Sequence, residues 1–282
     1  MVHNRMQDTF QSALVVEGGA MRGIFAAGVL DNFIDNNYRP FDFCIGVSAG
    51  STNLAAWLAN QRGRSYRVIT DYSCRPEFIN FPRFVKGGHW LDLDWLWDIT
   101  IDEIKIDAEA MMSQPIPLYV VTTKVNTGEA AYIKATADNL NELLKASCSV
   151  PVAYRHFPLI NDEPMTDGGV ADSIPVIKAY ELGARDITVV LSRQIGYRKA
   201  PVRNKWLVKK MMSEFPALSE AMIRRAESYN KAIDFIENPP EDCSITVIAP
   251  PESFSVGRIT TDQAKLNAGY QLGIEAINLQ QV

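Results

Sequence analysis

The sequence predicts an α/β fold in which helices cover both faces of one mostly parallel sheet. Three observations predict it. Short, apolar, β-branched runs recur along the chain, segments of helical spacing separate them, and a Gly-x-Ser-x-Gly turn joins one run to the helix that follows. Runs that are apolar on both faces suit central parallel strands, which lie buried between two helical layers.

In order, the first strand is expected over 13–16 and a helix over 23–36, then a strand over 41–45 and a helix over 51–61. A strand over 117–124 precedes two further extended pieces, 131–135 and 157–160, which suit edge or antiparallel positions. Between these two lies a helix over 138–147 with Asp138 as its N-cap. Asn161-Asp162-Glu163-Pro164 is the composition of a hairpin turn. A helix over 175–182, closed by Gly183, leads to a strand over 187–191. The last elements are a strand over 245–249 and a helix over 261–279.

Composition narrows the function classes. A chain of 282 residues that is 47% apolar can bury a large core. Its net charge of -5 argues against nucleic acid as a partner. Cys44, Cys74, Cys148 and Cys243 show no C-x-x-C spacing and are expected to be reduced thiols. No apolar leader precedes the first strand, and no run approaches the ~20 residues of a spanning helix, so a cytoplasmic location is expected. The oligomeric state is left open.

The chemistry centres on Gly46-Val47-Ser48-Ala49-Gly50. With 17 glycines in the chain, such a match arises by chance only about 0.06 times, before any strand-turn-helix context is required. A serine on so sharp a turn projects its hydroxyl outward, and Gly46 and Gly50 remove the Cβ atoms that would clash. The following helix points its N–H groups at the same place.

A nucleophile needs a base. His3, His89 and His156 all lie at or before position 156, so the Ser…acid…His order of α/β-hydrolases cannot be assembled with a histidine last. Asp167, in Thr166-Asp167-Gly168-Gly169, is the better candidate, provided burial raises its proton affinity. The third element is Glu17-Gly18-Gly19-Ala20-Met21-Arg22-Gly23, directly after the first strand. Its consecutive N–H groups could hold an oxyanion, or the pyrophosphate of a dinucleotide, since Gly18-x-Ala20-x-x-Gly23 loosely matches a Rossmann fingerprint with Asp42 as the acidic partner. No cluster has zinc spacing, and neither metal nor cofactor is expected.

Two regions interrupt the alternation. Residues 76–106 are rich in aromatics, including Phe78, Phe81, Phe84, Trp90, Trp95 and Trp97, and residues 198–231 are strongly basic. The first could line an acyl pocket or meet a membrane interface, and the second could dock on anionic headgroups. The simpler reading of each is a covering subdomain with a solvated charged face.

In order and spacing, the three motifs resemble the patatin-like phospholipase family, in its bacterial branch, with further likeness at Ala146-Ser147-Cys148-Ser149-Val150-Pro151. The resemblance implies a three-layer α/β/α fold, a hydrolase core over 12–193 and a C-terminal extension over 194–282 packing on it. It also implies hydrolysis of lipid acyl esters by a Ser-Asp dyad: Ser48 as nucleophile, Asp167 as proton acceptor, the loop Gly18 to Gly23 as oxyanion hole, and Gly168 and Gly169 as motif glycines. The lipid ester is the expected substrate, with peripheral contact at the inner membrane face. Where the family usually has a third glycine this chain has Ala20, which fits if its φ is negative. Arg22 could draw in a phosphate headgroup or brace the loop against Glu17. Outside this reading stand a nucleotide-binding domain and a catalytically silent lipid-binding module.

Overall fold

The β-branched and apolar runs become the strands of one mixed sheet in the computed structural model, which describes residues 11–276. Its strands are β1 (Ser12–Val16), β2 (Phe43–Val47), β3 (Leu118–Lys124), β4 (Ala130–Lys134), β5 (Leu159–Ile160), β6 (Glu163–Asp167), β7 (Asp186–Val190) and β8 (Ser244–Ile248). Hydrogen-bonded neighbours follow the order β5-β6-β3-β2-β1-β7-β8, with β4 also on β3. The five strands from β3 to β8 in that order are parallel, and β4, β5 and β6 run antiparallel to their partners.

Helices α1 (Gly23–Asp35) and α2 (Ala49–Leu58) follow β1 and β2. Then come α3 (Arg64–Arg67), α4 (Phe81–Val85), α5 (Leu93–Ile104) and α6 (Ala108–Met112), all before β3. The remaining helices are α7 (Leu140–Cys148), α8 (Val176–Glu181), α9 (Lys205–Met211), α10 (Pro216–Glu237) and α11 (Gln263–Glu275).

Strand alternation sorts the core into two halves. Leu14, Val16, Cys44 and Val120 face Phe25 of α1, Trp57 of α2 and Leu143 of α7. Ala13, Val15, Ile45 and Val121 face Val176 of α8 and Tyr229 and Ile233 of α10. Three layers result, as expected. The C-terminal segment is woven into them: β8 extends the sheet beside β7, and α11 packs on α1, where Tyr270 Oη donates to Asp31 Oδ2 at 2.7 Å.

Local differences from the sequence reading have local causes. The expected N-cap Asp138 is displaced by Asn139, whose Oδ1 accepts the Thr136 N–H at 2.8 Å and sets the turn before α7. The hairpin at Asn161 and Asp162 forms with both residues at positive φ, 51° and 62°, the requirement of a two-residue turn. Helix α11 starts at the cap Asp262, which accepts the N–H groups of Ala264 and Lys265. Leu279, the expected end of that helix, and His3 lie outside the described residues. All four cysteines are unpaired.

Register explains how distant residues meet. Strand β4 covers Tyr119 to Thr123 along one edge of β3, so β2 and β6 must share the other. They do so end to end: Val47 pairs with Val121 and Asp167 with the next residue, Thr122. The residue after β2 and the last residue of β6 therefore arrive at one point.

Candidate active site

Ser48 leaves β2 at φ 53° and ψ -127° and caps α2, the sterically costly geometry of a nucleophile elbow. Close backbone contacts explain the flanking glycines. A Cβ on Gly46 would stand 2.6 Å from Ser51 Cα, and one on Gly50 would stand 2.5 Å from Val16 O. The Ser48 N–H donates to Ser147 Oγ at 2.8 Å, and that hydroxyl donates to Val121 O at 2.7 Å. Ser147 thus ties α7 to the elbow, giving the Ala146-to-Pro151 likeness a physical role that spacing alone did not reveal.

Asp167 is 4% exposed, its Oδ1 accepts the Gly169 N–H at 2.7 Å, and its carboxylate lies near enough to the Ser48 side chain to interact with it. Burial raises its pKa above the ordinary carboxylate value, opposed by the nearby Arg225 guanidinium, by the Ser48 side chain and by the Gly169 hydrogen bond. Burial also raises the pKa of the Cys148 thiol, which touches Ser48.

The glycine-rich loop crosses beside the serine, so that a Cβ on Gly18 would stand 3.1 Å from Ser48 Cβ. Not all of the loop is free to bind an anion. Met21 N–H donates to Arg258 O, Arg22 N–H to Gly19 O, and Gly23 N–H to the carbonyls of Ala20 and Met21. These three residues are therefore removed from the expected oxyanion hole. Among the described residues the N–H groups of Gly18, Gly19 and Ala20 have no protein acceptor.

Ala20 has φ 51°, not the negative angle the alanine was expected to need. The left-handed conformation costs an L-residue about 1–2 kcal/mol, and the turn holds it there because the next residues form a single 3-10 turn, Ala20–Arg22. Ala20→Gly is expected to remove this strain, offset in part by the greater freedom of glycine in the unfolded chain. The variant should therefore keep or raise its Tm, whereas Ala20→Val should lose about 2 kcal/mol or more. Thermal denaturation of the pair checks this.

Arg22 braces the loop. Its guanidinium, 3% exposed, donates from Nε and Nη2 to Ser192 Oγ at 3.3 and 2.9 Å and lies 3.9 Å from Glu17 Oε1. Glu17 Oε2 accepts the Ser192 N–H at 2.6 Å. Burial lowers the Arg22 pKa to about 10, with Glu17 opposing the shift.

The aromatic insert supplies a wall. Phe78, Leu93, Leu96 and Trp97 line an apolar cavity with Val68 and Ile69, and Ser48 and Ala20 belong to the same lining. Other candidates fall elsewhere. Asp42 accepts from Gln11 N, Ser12 N and Ser12 Oγ at 2.8, 2.9 and 3.1 Å, which pins it at the start of β1, remote from the loop that follows the strand's other end. His89 and His156 cluster around Asp94, with side-chain nitrogens 3.7 and 3.8 Å from its Oδ2. That cluster is poorly suited to a metal. His89 Nδ1 accepts the Arg155 N–H at 3.1 Å, leaving the proton on Nε2, and Lys145 Nζ already pairs with Asp94 at 2.6 Å.

A strained serine on a strand-to-helix turn, a buried carboxylate near it and an apolar cavity at its side define an α/β protein of the nucleophile-elbow class. The Patatin-like phospholipase family profile matches residues 14–180, and a Domain of unknown function (DUF6363) matches 215–280. The chain belongs to the patatin-like phospholipase family, and this membership supports lipid acyl hydrolase activity. It is 32% identical over 268 residues to the uncharacterized protein YjjU of Escherichia coli, covering 93% of this chain and 74% of that protein. Among solved structures it is similar to VipD from Legionella pneumophila, with TM-score 0.45 and 12% identity over 96% of this chain and 67% of the other.

Proposed function

We propose that the chain cleaves acyl esters of lipids through a Ser48-Asp167 dyad. What carries the reading is the convergence of the Ser48 elbow and the buried Asp167 carboxylate on one edge of β3, with Ser48 lining an apolar cavity. Asp167 takes the hydroxyl proton as Ser48 Oγ attacks the ester carbonyl. The Gly19 and Ala20 N–H groups brace the oxyanion, and its collapse expels the alcohol, which regains the proton from Asp167. Water, activated by the same carboxylate, then releases the fatty acid from Ser48. The acyl chain occupies the cavity bounded by the aromatic insert. Hydrolysis of p-nitrophenyl acyl esters, compared in the native chain and in Ser48→Ala, tests the reading.

Membrane docking extends it. Helix α9 holds Trp206 71% exposed, with Leu207 and Met211 also exposed beside Lys205 and Lys210. An apolar tip ringed by cations suits an anionic lipid surface. Retention on phosphatidylglycerol vesicles is expected to fall about 10-fold or more in a Trp206→Ser, Leu207→Ser double variant, and to be weak on phosphatidylcholine vesicles for the native chain. Cosedimentation that does not distinguish the variant from the native chain would contradict this face.

A further inference from the structure

Behind the loop lies a concentration of charge that ester hydrolysis alone does not require. Arg22, Arg193, Lys199, Arg225 and Arg258 interact electrostatically around only two carboxylates, Glu17 and Asp167. Four of these cations come from the C-terminal third: Arg193 and Lys199 from the segment between β7 and α9, Arg225 from α10 and Arg258 from the segment before α11. With all five protonated the excess would be three positive charges, costly to assemble in a partly buried site, and Lys199 registers that cost. Its burial, with Arg225 and Arg258 close by, lowers its pKa to about 6.

The cluster is held in place. Asn230 clamps the Lys199 backbone, with Oδ1 accepting its N–H at 2.8 Å and Nδ2 donating to its carbonyl at 3.1 Å. Lys199 Nζ rests 4.2 Å from the centre of the Tyr229 ring. Arg225 Nη2 lies 3.1 Å from where a Gly169 Cβ would stand, beside the Asp167 turn.

Several of its donors have no partner in the protein. Arg22 Nη1, Arg193 Nε, Arg225 Nε and Tyr229 Oη are all buried without a hydrogen-bond partner. Most buried polar groups in a protein interior are paired. Four in one cluster, three of them on guanidinium groups, point to a ligand with several acceptor oxygens and at least one negative charge. Arg258 connects this region to the acyl cavity, since it lines that cavity with Ala20, Met21 and Ser48.

We propose that Lys199, Arg225 and Arg258, converging on Arg22 and Arg193, form a phosphate-binding subsite beside Ser48 that takes the phosphate of the substrate lipid. The proposal rests on the hydrolase reading and adds to it the headgroup chemistry. The tail then lies among the apolar side chains of the cavity and the phosphate among the cations. Tetrahedral phosphate oxygens fit forked guanidinium donors, and a neutral glyceride offers nothing to pair them.

The test compares two esters that differ only in phosphate, a short-chain lysophosphatidic acid and the monoacylglycerol of the same acyl chain. The native chain is expected to prefer the first, with inorganic phosphate competing against it. Lys199→Gln and Arg258→Gln, made separately, are each expected to reduce that preference about 10-fold or more, chiefly through KM. A native chain with no preference, or a preference unmoved in both variants, would overturn the proposal. Inorganic phosphate should also raise the native Tm, and less so in Lys199→Gln. A phosphate-raised Tm with unmoved preference would mark a structural anion rather than a substrate group, and would also overturn it. If the native chain hydrolyses neither ester, the hydrolase reading fails by itself and the phosphate-dependent Tm decides the subsite. A shift lost in Lys199→Gln supports it, and no shift overturns it.

Discussion

Replacing Ser48 with alanine is expected to lower ester hydrolysis by about 10⁴-fold or more while leaving the fold in place. The side chain removed is small, and the contacts that fix the elbow are made by the Ser48 backbone: its N–H bonds to Ser147 Oγ, and its carbonyl accepts from Ser51. Tm should therefore stay near the native value even as turnover disappears. Hydrolysis retained within 10-fold would show that another group attacks the ester.

Asp167→Asn is expected to cost about 10²–10⁴-fold in kcat/KM, the range for losing a positioned general base. Asparagine keeps the shape and can still accept the Gly169 N–H, but it cannot take a proton. His156→Ala is the contrasting variant. His156 is associated with Asp94 and His89 rather than with Ser48, so its loss should leave turnover within a few-fold of native, and the reverse pair of outcomes would restore a histidine mechanism. The pH profile carries a sign. Asp167 acts as a base only when ionised, and burial raises its pKa above 3.8. As pH falls through that raised value kcat/KM falls with it, beginning at a higher pH than an ordinary carboxylate would impose. An acidic limb at or below the ordinary carboxylate value would argue that the group is not buried during turnover.

Much of this architecture was legible because it follows from local patterns. The runs that became β1, β2, β3 and β7 are apolar on both faces, and only burial between two layers accommodates that; β8, expected with them, is instead the edge strand, with Ser244 and Thr246 exposed. Ser48 and Asp167 were visible because each sits in a glycine context that few other roles require. Their meeting was not derivable from local pattern, since it depends on β2 and β6 sharing one edge of β3, a fact of register.

The cations show where local reading ends. The basic stretch looked like a solvated face, yet Arg225 and Lys199 turn inward, while Arg198 pairs with Asp234 and Glu237 at the surface. One signal was available. On α10, Leu218, Ala221, Tyr229 and Ala232 are buried at helical spacing, and Arg225 falls within the same stripe. A cation in an apolar stripe needs a partner, and that partner lies in distant sequence. Ala20 was misjudged for a related reason. Its conformation is dictated by the 3-10 turn and by Arg22 anchored to Ser192, contacts that composition does not encode.

The central claim is that Ser48 is a reactive nucleophile facing a working oxyanion pocket. Treatment with a fluorophosphonate followed by peptide mass spectrometry tests both together, because phosphonylation requires the activated hydroxyl and stabilisation of the developing charge. The expected result is a single adduct on the peptide that contains Ser48, absent from Asp167→Asn over the same exposure. A native protein that remains unlabelled at Ser48, or is labelled on a different serine, would contradict the account.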